Sequence, residues 1–231
     1  MKFSNPFQKL TKFEWGLWLL SATVVLLSFL LPAEKDVWSL IASLIGVTAL
    51  IFVAKGMVIG QILCVVFALF YGIVSWSQRY YGEMITYLGM SAPMAISATI
   101  SWIKNPYGNS EEVTVRKMKG KEWLLLSVLA LIAAVVFYFI LKSLGTANLT
   151  VSTISVITSF FAASLVFLRS PFYALAYACN DVVLIVLWIF STVSDISYLP
   201  MVFCFVMFLC NDLYAFFNWR RMEKRQKSEL P

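Results

Sequence analysis

Histidine is absent from this 231-residue chain, and only 13% of its residues are Asp, Glu, Lys or Arg, against about 25% in an ordinary soluble domain. Without histidine the usual general base, proton shuttle and metal ligand are missing. The four cysteines, Cys64, Cys179, Cys204 and Cys210, fall inside apolar runs and have no metal-site spacing. They read as small buried hydrophobes. No phosphate-binding glycine loop, no Ser-Lys or Gly-x-Ser-x-Gly nucleophile and no set of metal carboxylates occurs. These absences argue against an enzyme, against a metal or other cofactor, and against ATP driving any process through this chain.

Hydrophobic residues make up 61% of the chain and the mean hydropathy is +0.82, values of a polytopic membrane protein. The net charge of +6 would suggest nucleic acid in a soluble chain, but here the basic residues lie almost wholly between apolar runs. Their role is orientation, and nucleic acid is not an expected partner. A bilayer-spanning helix needs about 20 largely apolar residues. Eight segments qualify: 15–31, 37–54, 57–76, 84–103, 123–141, 151–168, 171–190 and 198–219. The start, MKFSNPFQKLTKFEW, is polar and basic, so the first apolar run is expected to be a retained span.

With eight spans, fifteen basic residues share the side of the N-terminus and three, Lys35, Arg79 and Lys142, lie opposite. That asymmetry predicts cytoplasmic termini. Tryptophan and tyrosine mark several boundaries, Trp15, Trp38, Trp76, Trp102, Trp123, Tyr198 and Trp219, as interfacial anchors do. The expected organisation is residues 1–35 as N-terminus and extra span, 36–103 as a three-helix unit and 104–121 as a cytoplasmic loop. A linker span at 122–149, a second three-helix unit at 150–219 and a basic tail at 220–231 complete it.

The two units are weakly alike. Offset by 117 positions, Tyr81 falls on Tyr198, Met84 on Met201, Trp102 on Trp219 and Tyr71 on Trp188. One linker span between two three-span units gives both the same orientation. Transporters built from parallel repeats place the cargo site at the repeat interface near the midplane.

One tripeptide occurs twice in the second unit, Cys179-Asn180-Asp181 and Cys210-Asn211-Asp212. A carboxylate at mid-bilayer costs about 2.5–3.5 kcal/mol on insertion scales, so it faces a cavity, a partner or a cargo. The alternative is that each Asp ties two helices together. Asp181 is eleventh in its span and Asp212 fifteenth in an oppositely directed one, so their depths are expected to differ, which disfavours an aspartyl dyad. Tyr173, Tyr177, Asp181, Leu184 and Trp188 follow one helical face, with Asn180 beside it. Asn211, Tyr214 and Asn218 form a second polar stripe, and Gln61, Tyr71 and Trp76 a poorer one. Aromatics interleaved with amides and a carboxylate suit a cargo with a flat ring and hydroxyls. Pro93, midway along the fourth span, is expected to kink it and free backbone groups toward a cavity.

The run SPFYALAYACNDVVLIVLWI, then SDISYLPM and NDLYAFFNWRRMEKRQ, resembles the PnuC family of vitamin transporters. GQILCVVFALFYGIVSWSQRYYGEM in the first half agrees, and the likeness covers roughly residues 36–226. The resemblance implies a core related to the SWEET sugar transporters, two parallel three-helix bundles joined by a linker helix, with the first span as an addition. It implies facilitated diffusion of nicotinamide riboside by alternating access, with thiamine, riboflavin or a deoxynucleoside as alternative cargoes. A bacterial inner membrane and a homotrimer are further implications. The family's span-seven asparagine maps onto Asn180 and its terminal tryptophans onto Trp102 and Trp219. Departures are Tyr173 and Ala176 where many members have tryptophan, Ala98-Thr99 in place of Gly-Trp, and Leu63 at the first-half asparagine. A membrane scaffold without cargo is the remaining alternative; it requires Asn180 and Asp181 to face another helix.

Overall fold

The computed structural model describes residues 5–32, 37–77, 81–146, 148–196 and 199–229. Lys2, Lys35, Arg79 and Tyr198 lie outside the described residues. A 3-10 turn, Pro6–Lys9, leads into α1 (Lys12–Phe29), followed by α2 (Val37–Ala54) and α3 (Val58–Ser77). A composite span follows: α4 (Tyr81–Thr86), a π-turn (Tyr87–Ser91) and α5 (Ala92–Ile103). Then come α6 (Gly120–Ser143), α7 (Leu149–Phe167), α8 (Tyr173–Ser194) and α9 (Leu199–Ser228). Six of these helices are individually long and apolar enough to cross a membrane. With α3 and the composite span they make the eight expected crossings.

Pro93 explains the composite span. Proline has no N–H and its ring crowds the carbonyl four residues back. The local ladder shifts register instead, and the Ala92 N–H reaches the Tyr87 carbonyl in a π-pattern. Single π-turns inside α-helices cluster at functional sites, and this one lies against the central cavity described below.

Helices α2, α3 and α4–α5 form one bundle and α7, α8 and α9 the other, while α6 packs on α7 and α1 rests against α2 and α9. Gly60 permits the tight α2–α3 turn; a Cβ there would stand 2.4 Å from the Val53 backbone nitrogen. The bundles carry matching cross-ties. Trp102, at the end of the first, donates its indole N–H to the Val166 carbonyl at 3.0 Å. Trp219, in the second, donates to the Val53 carbonyl at 3.0 Å. Their neighbours repeat the pattern: Ser101 Oγ donates to the Phe167 carbonyl and Asn218 Nδ2 to the Ala54 carbonyl, both at 2.8 Å. The accepting helix ends match as well. Gly56 and Arg169 both have positive φ, 68° and 57°, and close equivalent C-terminal caps.

The 55–57 turn, the 104–119 loop, the 168–170 turn and both ends of the described chain, at Lys9 and Gln226, gather on one face. The Val113 N–H bonds the Gly56 carbonyl and the Arg116 N–H the Arg169 carbonyl. Gln226 bonds both Val113 and Val115, and Lys9 pairs with Glu111 at 2.6 Å. Helix α9 runs past the expected boundary at Trp219 to Ser228, because Met222, Glu223 and Gln226 are buried beneath this loop. Lys142 lies in the last turn of α6, at the opposite face.

Candidate functional site

A cavity of 110 Å³ lies between the bundles, lined by all six bundle helices and by neither α1 nor α6. Its polar wall holds Gln61 from α3, Ser159 from α7, Asn180 and Asp181 from α8, and Asp212 from α9. Tyr87, Tyr173 and Tyr177 supply aromatic surface. Among the described residues no lysine or arginine lines it.

The helix pattern accounts for this set. On α8, Tyr173, Tyr177, Asp181 and Leu184 recur at helical spacing on one face and all reach the lining. Asn180, beside that face, has its Oδ1 within 2.7 Å of Thr158 Oγ1 and 3.0 Å of Ser159 Oγ. These contacts tie the Asn180 amide to α7 at the edge of the cavity. Asp181 is buried to 2% exposure; one carboxyl oxygen, Oδ2, has no hydrogen-bond partner among the described residues.

Asp181 and Asp212 stand within hydrogen-bonding reach of each other, which corrects the expectation of different depths. The register is set at the end of the 104–119 loop, where the Tyr173 and Trp219 rings meet edge to face with centroids 4.8 Å apart. Asp181 lies eight residues beyond Tyr173 and Asp212 seven before Trp219, about 10–12 Å along either axis. Counting from the outer end of a span whose helix extends well past it had hidden this.

Of the other expected site residues, Tyr177 and Gln61 line the cavity. Tyr71 stands behind it, its ring 4.3 Å from that of Tyr87. Asn211 turns away and donates to Ser21 Oγ of α1 at 2.9 Å. Tyr214 donates to Glu14 Oε1 at 2.8 Å, and Glu14 also holds Lys55 at 3.0 Å. Asn218 belongs to the cross-tie on Ala54. The polar stripe of α9 thus fastens α1 and α2, apart from the cavity. Trp188 lines a separate cavity nearer the face opposite the termini. Sequence reasoning missed Tyr87, Ser159 and Glu83; the spacing of Glu83 and Tyr87, one helical turn in an aromatic-rich stretch, is the signal that would have found two of them.

A profile of the family described as nicotinamide mononucleotide transporter matches residues 36–221. The chain belongs to that family. It is a multi-pass membrane transporter and not an enzyme. A nicotinamide riboside transporter PnuC of Neisseria mucosa is 26% identical over 227 residues, 95% of this chain and 85% of that protein. The protein of the same description from Haemophilus influenzae is 24% identical over 193 residues, 82% of each. Among solved structures, the crystal structure of the vitamin B3 transporter PnuC superimposes with a TM-score of 0.80 over 94% of both chains, at 24% identity. That likeness establishes the fold.

Proposed function

We propose that the chain carries nicotinamide riboside into a bacterial cell by facilitated diffusion, with both termini cytoplasmic. The observation that carries this reading is the charge of the central cavity: two carboxyl groups, amides and tyrosines, with no basic residue among those described. Two carboxyl groups within hydrogen-bonding reach share a proton and leave one negative charge between them, and a cationic ring supplies the missing countercharge. The same wall disfavours a nucleotide, because a phosphate would meet no donor cation and two acids. The riboside is therefore preferred over the mononucleotide of the family's description, in agreement with what the two curated relatives are said to carry. In this account Asp181 faces the pyridinium ring, Tyr87 and Tyr177 contact its faces, and Asn180 and Gln61 bond ribose hydroxyls.

Ligand sites measure about 300–1,000 Å³, and this cavity measures 110 Å³. Cargo entry therefore requires the bundles to separate, which is alternating access with the Trp102 and Trp219 ties opening on the cytoplasmic side. A homotrimer follows from the resemblance; native mass spectrometry from membranes tests it. Vesicles containing the purified protein should take up labelled nicotinamide riboside to equilibrium only, with unlabelled mononucleotide competing at least tenfold more weakly. Uptake of thiamine in preference would replace the cargo, and accumulation driven by a proton or sodium gradient would replace the mechanism.

A further inference from the structure

A second cavity, of 250 Å³, lies at the face opposite the termini and is larger than the central one. Its lining includes Tyr81 and Glu83 of α4, Ser152 of α7, and Trp188 and Ser191 of α8. Glu83 is the only charged side chain among its described lining residues.

The position of this cavity relative to the first is read from three shared helices. Glu83 and Tyr87 are four residues apart in the composite span, one in each lining. Trp188 and Leu184 are four apart on α8 and divide in the same way. On α7, Ser152 serves the outer cavity and Ser159 the inner. Four residues of helix rise about 6 Å and seven about 10 Å, so the two cavities are stacked, one to two helical turns apart, along three common walls. Tyr87, backed by Tyr71 at 4.3 Å, and Leu184 form the layer between them.

We infer that the outer cavity is a binding site in its own right, a subsite for a flat aromatic cation, from which cargo passes inward past Tyr87 and Leu184. Trp188 provides a ring for stacking and Glu83 the countercharge; cation–π attraction of this kind grows as water is excluded. Ser191, whose hydroxyl donates to the Leu187 carbonyl at 3.3 Å, keeps its oxygen as an acceptor on the same wall. An anion meets only Glu83, so the subsite rejects phosphorylated forms before they reach the inner cavity. This inference rests on the proposed direction of transport and cargo class, but its test does not depend on uptake.

No tryptophan lines the central cavity among the described residues, so Trp188 reports occupancy of the outer one. The probe is 1-methylnicotinamide, a pyridinium without ribose that quenches a stacked indole. It is titrated into the purified full-length protein and into Trp188→Phe, Glu83→Gln and Glu83→Asp variants. The expected result is saturable quenching in the parent that Trp188→Phe removes. Glu83→Gln should raise the half-saturating concentration at least tenfold, and Glu83→Asp should stay within threefold of the parent. Quenching that rises without saturating, or that ignores either Trp188→Phe or Glu83→Gln, overturns the subsite. Riboside uptake by the parent protein is measured alongside. Uptake without saturable quenching removes the subsite and leaves the proposed function standing; Glu83-dependent quenching without uptake does the reverse.

Discussion

The paired indole ties are expected to hold the side of the termini closed, and replacing both tryptophans with phenylalanine tests this. Each substitution removes one N–H donor at 3.0 Å from a buried carbonyl while keeping an aromatic ring in place. The carbonyls are not orphaned: Val53 still accepts from Gly56 N–H and Tyr173 Oη, and Val166 from Arg169 N–H. The loss per tie is therefore the net value of a hydrogen bond, about 1 kcal/mol. Two ties give about 2 kcal/mol, roughly a thirty-fold shift toward the form open on the side of the termini. The rings lie 5.4 Å apart, so the double variant can depart from additivity and a full mutant cycle is needed. Ala98 lines the cavity and is 1% exposed. In a background with the four native cysteines replaced, Ala98→Cys labelled by a polar maleimide from the side of the termini should react about thirty-fold faster in the double variant. A lower Tm with an unchanged labelling rate would show that the ties persist in every state and gate nothing.

Glu14→Gln should lower the Tm sharply, because it leaves Lys55 beside an uncharged partner in a pair whose acid is 1% exposed; breaking a buried pair costs about 3–5 kcal/mol. Adding Lys55→Met should restore part of that loss in the same melting assay. Gly60→Ala places a methyl 2.4 Å from the Val53 backbone nitrogen and should destabilise by about 1–3 kcal/mol, read by thermal unfolding in detergent. Arg169→Gly should raise the Tm, since a left-handed non-glycine residue costs about 1–2 kcal/mol and Nε and Nη1 of this guanidinium are buried without partners. Burial and the nearby Arg116 already hold its pKa below the usual guanidinium range; a lower Tm in this variant would assign the charge a stabilising role.

The eight crossings were legible because each apolar run is long and its ends carry basic residues or aromatic anchors. The repeat was legible at Trp102 and Trp219, and the structure gives it substance in matched indole bonds. Helical spacing was enough to bring Tyr177 and Asp181 to the cavity, since an α8 face is set by its own sequence. It failed for α9, where the stripe of Asn211, Tyr214 and Asn218 is equally periodic. Periodicity identifies a face and does not say what the face meets; α1, with Ser21 and Glu14, covers this one. The nearness of Asp181 to Asp212 was hidden for a related reason. Their register depends on contact between the Tyr173 and Trp219 rings, which no single-helix pattern contains. Glu83 is hidden because it stands one residue before the apolar run 84–103 that marks the fourth span.

If Asp181 recognises the positive ring of the cargo, calorimetry on purified Asp181→Asn protein reads the lost interaction. Nicotinamide riboside is compared with benzamide riboside, whose ring has the same shape and no charge. Removing one member of a buried charge pair costs about 2–5 kcal/mol, and the amide keeps the shape and some hydrogen bonding. Kd for the riboside should rise at least tenfold, about 1.4 kcal/mol, with the neutral analogue changed less than threefold. An equal loss for both ligands, or no loss with a lowered Tm, would contradict it and leave Asp181 as a tie between α8 and α9.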